Sequence, residues 1–70
     1  MKAKNNWQVT IDFPGTGVTV WEADAEDSNG KIWKGLASKV TREGLTERVF
    51  VGESAWSDAE RLAFDLTLGR

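Results

Sequence analysis

The stretch from Trp21 to Gly35, WEADAEDSNGKIWKG, folds back on itself at Asn29-Gly30, and this reversal limits the possible folds more than any other feature. Glycine enters positive φ freely and asparagine tolerates it, so Asn-Gly between alternating segments is a strong hairpin signal. Two loop lengths are open. In the preferred three-residue loop, a type I turn with Gly30 left-handed, Asp27 faces Lys31. Pairs then run Ala25 with Trp33, Asp24 with Lys34, Ala23 with Gly35, Glu22 with Leu36 and Trp21 with Ala37. One face holds Trp21, Ala23, Ala25, Trp33, Gly35 and Ala37, a shallow floor on which a helix could lie. The other holds Glu22, Asp24, Glu26, Ile32, Lys34 and Leu36, with Val18, Val20 and Val40 further along. A two-residue loop would shift the second strand by one and swap its faces, placing Trp33 among the acids. Residues 30–44 also admit a helix, because Trp33, Leu36, Ala37 and Val40 have helical spacing and Gly44 would cap it. Gly35 and the Asn-Gly turn favour strand.

The remaining elements complete an α+β reading. Trp7, Val9, Ile11 and Phe13 alternate with polar residues, which predicts a half-buried strand with those four on one side. Pro14 to Gly17 breaks it, and a second strand runs from Val18 to about Glu26. Thr46 to Gly52 reads as a fourth strand. Ser57 stands three before Glu60, the capping-box spacing, with Asp58 placed where the helix dipole favours negative charge. Ala59, Leu62, Ala63 and Leu66 form the apolar stripe of that helix, beside Phe64 and Leu68, and Gly69 ends it. The prediction is an antiparallel sheet of three to four strands with one C-terminal helix packed on a face. Trp7 is expected in the core, and Trp56 is expected just before the helix cap, packed over the helix start.

Seventy residues make one domain, 1–70. A chain of this length buries only about 60% of its unfolded surface, so its margin of stability is thin. Cysteine and histidine are both absent. Neither a disulfide nor a Cys/His zinc site can therefore staple the fold. Packing must suffice, or a second chain must complete it, and apolar residues on both sheet faces point to a homodimer.

Most catalytic chemistry lacks its residues. Without histidine, cysteine or tyrosine, the commonest general base, the thiolate nucleophile and most transition-metal sites are missing. No enzyme activity, cofactor or metal is expected. Aligning DAEDSNG with a calcium loop puts Ala25 first and Leu36 twelfth, where aspartate and glutamate belong, so that match fails. PGTG lacks the spacing and lysine of a phosphate loop. MKAKNN carries lysines with no apolar run behind it, and no stretch approaches a membrane span, so the expectation is a cytoplasmic protein without a signal peptide.

The strand-turn-strand-helix order, with GKIWKGLAS after the turn, resembles the sheet-plus-helix part of double-stranded-RNA-binding domains over about half of the chain. The N-terminal helix of that family is missing. Ser57-Asp58-Ala59-Glu60 opens the last helix where such a domain presents lysines to phosphate, so RNA binding does not follow.

Charge points the same way: the net charge is −2 and the pI about 5.0, against the basic surplus usual in nucleic-acid binders. Direct nucleic-acid binding is therefore not expected. Glu22, Asp24 and Glu26 recur at every second residue of the hairpin. The bland account is a solvated strand face, on which charge suppresses sheet-to-sheet aggregation. The sharper account is a protein-binding face: Glu22, Asp24, Glu26, Asp27 and Lys34 supply charge, and Trp33 or Trp21 an aromatic anchor. The leading expectation is a small acidic inhibitor or interaction protein that docks on a basic surface of a larger protein, such as a nucleic-acid-binding complex. In size and charge it resembles phage-encoded inhibitors of host defence, anti-CRISPR proteins included. The alternatives are a nucleic-acid-binding module that stacks a base on Trp33 between Lys31 and Lys34, and a structural subunit of an assembly.

Overall fold

The computed structural model describes residues 1–69. Its elements are β1 (Lys2–Ala3), β2 (Gln8–Phe13), β3 (Val18–Glu26), β4 (Ile32–Arg42), β5 (Leu45–Val51) and α1 (Ala55–Thr67). All pairings are antiparallel, with β3–β4–β5 a meander and both β1 and β2 docked in succession along the free edge of β3. The sheet curls as a half-barrel and α1 packs against it. The α+β fold is as the sequence implies, with the short β1 added. Residues 32–42 are strand, so the helical alternative for that segment falls.

The turn has the three-residue loop. The Gly30 amide donates to the Asp27 carbonyl and the Asp27 amide to the Lys31 carbonyl, both at 3.0 Å, with Gly30 at φ 80°. Ala25 faces Trp33 as that loop requires. Beyond it the register departs from simple counting. The next pair is Ala23 with Ala37, then Glu22 with Ser38 and Trp21 with Lys39. Asp24 alone on β3 therefore faces Lys34, Gly35 and Leu36 on β4. A shift of two residues preserves side-chain parity, so Glu22 and Glu26 remain on the face opposite Trp21 and Trp33. Leu36 does not join the acids, because the bulge, with Gly35 at φ 69°, turns it to pack against Ala23, Ala25 and Ala37.

A second bulge divides β2. Val9 faces Trp21 and Ile11 faces Val20, leaving Thr10 unpaired between them. One extra residue reverses the faces downstream. Trp7 and Val9 therefore lie on one side of the sheet, while Ile11 and Phe13 enter the core on the other. The expected grouping of all four on one side is corrected accordingly.

The helix lies on the valine side rather than on the alanine floor. Val18, Val20 and Val40 are buried against Ala59 and Ala63, flanked by Ile11, Phe13, Phe50, Leu62 and Leu66. Ala55, Ala59 and Ala63 recur every fourth residue, and small side chains there let the helix approach the β-branched valines closely. Phe13 meets Phe64 edge to face at 5.5 Å. The alanine floor is covered instead by Trp7, Ala3 and Leu36.

The helix also begins earlier than the capping-box spacing implies. Asp58 N–H donates to the Ser54 carbonyl, so Ala55, Trp56 and Ser57 already lie in the first turn. The Ser57 hydroxyl bonds back to the Ser54 carbonyl instead of capping, and Asp58 accepts from the Ser54 hydroxyl at 2.9 Å. Trp56 is thus a helix residue, and its indole N–H reaches Thr10 Oγ1 at 3.4 Å. Gly69, at φ 77°, follows the last turn as expected.

One polar atom in this core is unsatisfied. Ser38 is fully buried and its hydroxyl has no hydrogen-bond partner among the described residues. A buried hydroxyl without a partner carries its desolvation cost uncompensated. Ser38→Ala should therefore raise the unfolding free energy by about 1 kcal/mol in urea titration; a loss of stability would show that the hydroxyl is satisfied in solution.

Candidate functional site

The hairpin end of the sheet carries the residues singled out by the sequence, and two carboxylates organise it. Asp27 starts the turn, so its side chain can reach the amides that follow. Its Oδ1 accepts from the backbone of Asn29 at 2.9 Å and of Lys31 at 3.0 Å, and its Oδ2 accepts from the Trp33 indole at 3.1 Å. Those donors, the indole foremost, hold the Asp27 carboxyl below the usual carboxylate range. Lys31 places its ammonium 4.3 Å from the Trp33 ring centroid. Trp33 is therefore exposed, at 38%, yet fixed by a hydrogen bond at its edge and a cation on its face.

Asp24 binds the bulge. Its Oδ1 accepts from the Gly35 amide and its Oδ2 from the Asn6 side chain, both at 3.0 Å, and its own amide donates to Asn6 Oδ1 at 3.0 Å. Its carbonyl accepts from the Lys4 amide at 2.8 Å. One residue thus joins β3, the β4 bulge and the segment between β1 and β2. The Gly35 amide first, and then Asn6, lower its carboxyl from the ordinary value. Lys34 lies 3.8 Å from Oδ2 but is almost wholly in solvent, so that pair adds little.

The acids and the tryptophans do not form one patch. Glu22, Asp24 and Glu26 lie on the side of the sheet that α1 covers further along, at the end that α1 does not reach. There a concavity of about 350 Å³ is lined by Asn6, Gln8, Glu22, Ala23, Asp24, Lys34 and Gly35. Glu26 pairs with Lys4 at 3.3 Å, while Glu22 has no ion pair among the described residues. Trp33 and Asp27 face the other way. Trp21 also lies on that opposite side, half-buried, and donates its indole N–H to Thr41 Oγ1 at 2.9 Å. Sequence reasoning missed Asn6, Lys4 and Lys39. The first two are remote in sequence from the hairpin, and Lys39 meets Trp21 only in the observed register.

Comparison with known protein families, with curated proteins and with solved structures finds no match to this chain. Among the described residues no group of three or more Asp, Glu, His or Cys is placed to hold a metal ion, and no helix is long and apolar enough to cross a membrane.

Two expectations follow from this geometry. A Cβ on Gly35 would meet Glu22 Oε1 at 3.2 Å and would require φ 69° of an L-residue. Gly35→Ala should cost about 1 kcal/mol or more of stability in chemical denaturation; an unchanged midpoint would mean the bulge readjusts freely. Asp24 and Asp27 sit lower when folded than unfolded, so their contribution is fully present above about pH 5 and is lost as pH falls through the unfolded and then the folded values. Asp27→Asn should therefore flatten the fall in thermal midpoint between about pH 5 and 3. Parallel curves for the variant and wild type would contradict it.

Proposed function

We propose that this protein works by binding rather than catalysis, docking its β3–β4 hairpin on a basic surface of a larger protein. The observation that carries this reading is the state of Trp33: a large aromatic ring exposed at the hairpin tip and held in one orientation by Asp27 and Lys31. A fixed anchor has little freedom left to lose on binding, and tryptophan is enriched among residues that dominate interface energies. Glu22, with Glu26 and Asp24, supplies negative charge on the other side of the same two strands. A partner that receives the hairpin edge-on meets both sides. Acidic rows of this kind steer encounter with basic surfaces.

The nucleic-acid groove of a larger complex is one such surface. Carboxylates there would take the places of phosphates, and the protein would act as an inhibitor. Its resemblance in size and charge to phage-encoded inhibitors of host defence supports that finer assignment, and the reading assumes a cytoplasmic encounter. Base stacking on Trp33 is the weaker alternative, because Lys31 already occupies one face of the ring.

The test is retention of a partner from nuclease-treated lysate of the native host by tagged wild type, Trp33→Ala and Glu22→Gln/Glu26→Gln. Asp24 is left intact because it holds the bulge. Retention by wild type that survives nuclease and falls about tenfold or more in either variant is the expected result. Retention that vanishes with nuclease, and strengthens when the glutamates are neutralised, would reverse the reading in favour of nucleic acid.

A further inference from the structure

The side of the sheet away from α1 carries a second arrangement. A single cross-strand row runs Val9, Trp21, Lys39, Val49 over β2, β3, β4 and β5. Val9 and Val49 are exposed, as is Val51 in the next row. Lys39, at the centre, is half-buried, and its ammonium stands 4.8 Å from the Trp7 ring centroid and 5.2 Å from that of Trp21. Both rings are anchored, Trp21 by its bond to Thr41 and Trp7 by packing on the alanine cluster.

This ammonium lacks an anion. No carboxylate among the described residues pairs with Lys39, and none of the side-chain hydrogen bonds found there engages its Nζ. Indole faces attract a cation but do not accept conventional hydrogen bonds from all its donors. Two acids on the same side of the sheet have other partners: Asp12 accepts from Thr19 Oγ1, and Asp27 is tied to Trp33 and its turn. A net-negative chain thus presents a positioned, uncompensated positive charge at the middle of an apolar strip.

We propose that this uncovered face, centred on Lys39, is a second docking surface, and that its partner is a protein segment bearing a carboxylate among apolar side chains. The carboxylate would accept from Lys39 Nζ, while the flanking apolar groups would cover Val9, Val49 and Val51. The surface is distinct from the hairpin tip and stands or falls independently of the docking reading above. Single-stranded nucleic acid fits less well, because Lys39 occupies the indole faces on which bases would stack, and one lysine does not track a phosphate chain. A second copy seated face to face about a two-fold axis through this row would bring the two Lys39 ammoniums together.

The test pans a displayed library of random peptides against immobilised full-length protein and measures the selected peptides against wild type, Lys39→Gln and Lys39→Arg. Circular dichroism first establishes that each variant is folded, with Lys39→Met replacing any that is not. The expected result is enrichment of Asp or Glu flanked by apolar residues. Affinity should fall about tenfold or more in Lys39→Gln and stay within about threefold in Lys39→Arg. The proposal is overturned if no peptide is enriched, if the enriched peptides lack an acid, or if Lys39→Gln binds them undiminished. It is equally overturned if oligothymidylate binds wild type and loses binding in Lys39→Gln, which would assign the ammonium to phosphate. A dimer in light scattering that Lys39→Gln strengthens would likewise overturn it, by assigning the face to a second copy whose ammoniums repel.

Discussion

The Asp24 carboxylate accepts from the backbone of Gly35 on one side and from the side chain of Asn6 on the other, and the hairpin half of the sheet is built around those two bonds. Without them, three residues of β4 would stand opposite one residue of β3 with a bulge amide unpaired. The N-terminal segment would also lose the contact that leads β1 onto the edge of β3. A backbone amide left without a partner costs free energy comparable to a lost hydrogen bond. Asp24 satisfies that amide and also ties Lys4 and Asn6, between β1 and β2, to the strand edge that both share.

This clamp matters because the helix stabilises only part of the sheet. Val18, Val20 and Val40 pack on Ala59 and Ala63, and burial of that apolar surface is the ordinary source of stability there. At the other end Ala23, Ala25 and Ala37 offer little volume, and Trp7 and Leu36 cover them from the opposite side of the sheet. Polar bonds through Asp24 and Asp27 take over the positioning role that the helix has elsewhere. The hairpin therefore projects beyond the helix as an ordered element that exposes Trp33 on one side and Glu22 on the other. On the uncovered side the β3–β4 register sets Lys39 opposite Trp21, with its ammonium near the rings of Trp7 and Trp21. Both proposed docking surfaces thus derive from one division of labour along β3.

The features legible in the sequence are those with a local physical cause. Asn29-Gly30 required a turn whose glycine is left-handed, and Asp27 opposite Lys31 followed from it. The alternation of β3 assigned Glu22 and Glu26 to one face and Trp21 to the other. The stripe of Ala59, Leu62, Ala63 and Leu66 defined the inner face of the helix. Bulges were not legible, because a period of two carries no mark of an inserted residue: nothing about Thr10 shows that Val9 and Ile11 separate there. Gly35 was the one visible signal of the β4 bulge, and it also fits an ordinary strand glycine. The choice of face for the helix turned on that hidden geometry, since only the Thr10 bulge brings Ile11 and Phe13 to the valine side. Ser57 and Glu60 had the spacing of a cap, but Ala55 and Trp56 extend the helix past it at no steric cost. The site was legible as a list of residues and not as an arrangement, because the acids and Trp33 share strands but not a face.

Asp24 holds the hairpin half of the sheet together independently of the helix-covered half. The decisive measurement is native-state hydrogen exchange on wild type and Asp24→Ala, read at the Gly35 amide and at the amides of Val20 and Val40. Gly35 should be protected in wild type and lose protection in Asp24→Ala together with its hairpin neighbours, while Val20 and Val40 keep most of theirs. Unchanged protection at Gly35, or an equal loss at every amide, would contradict it.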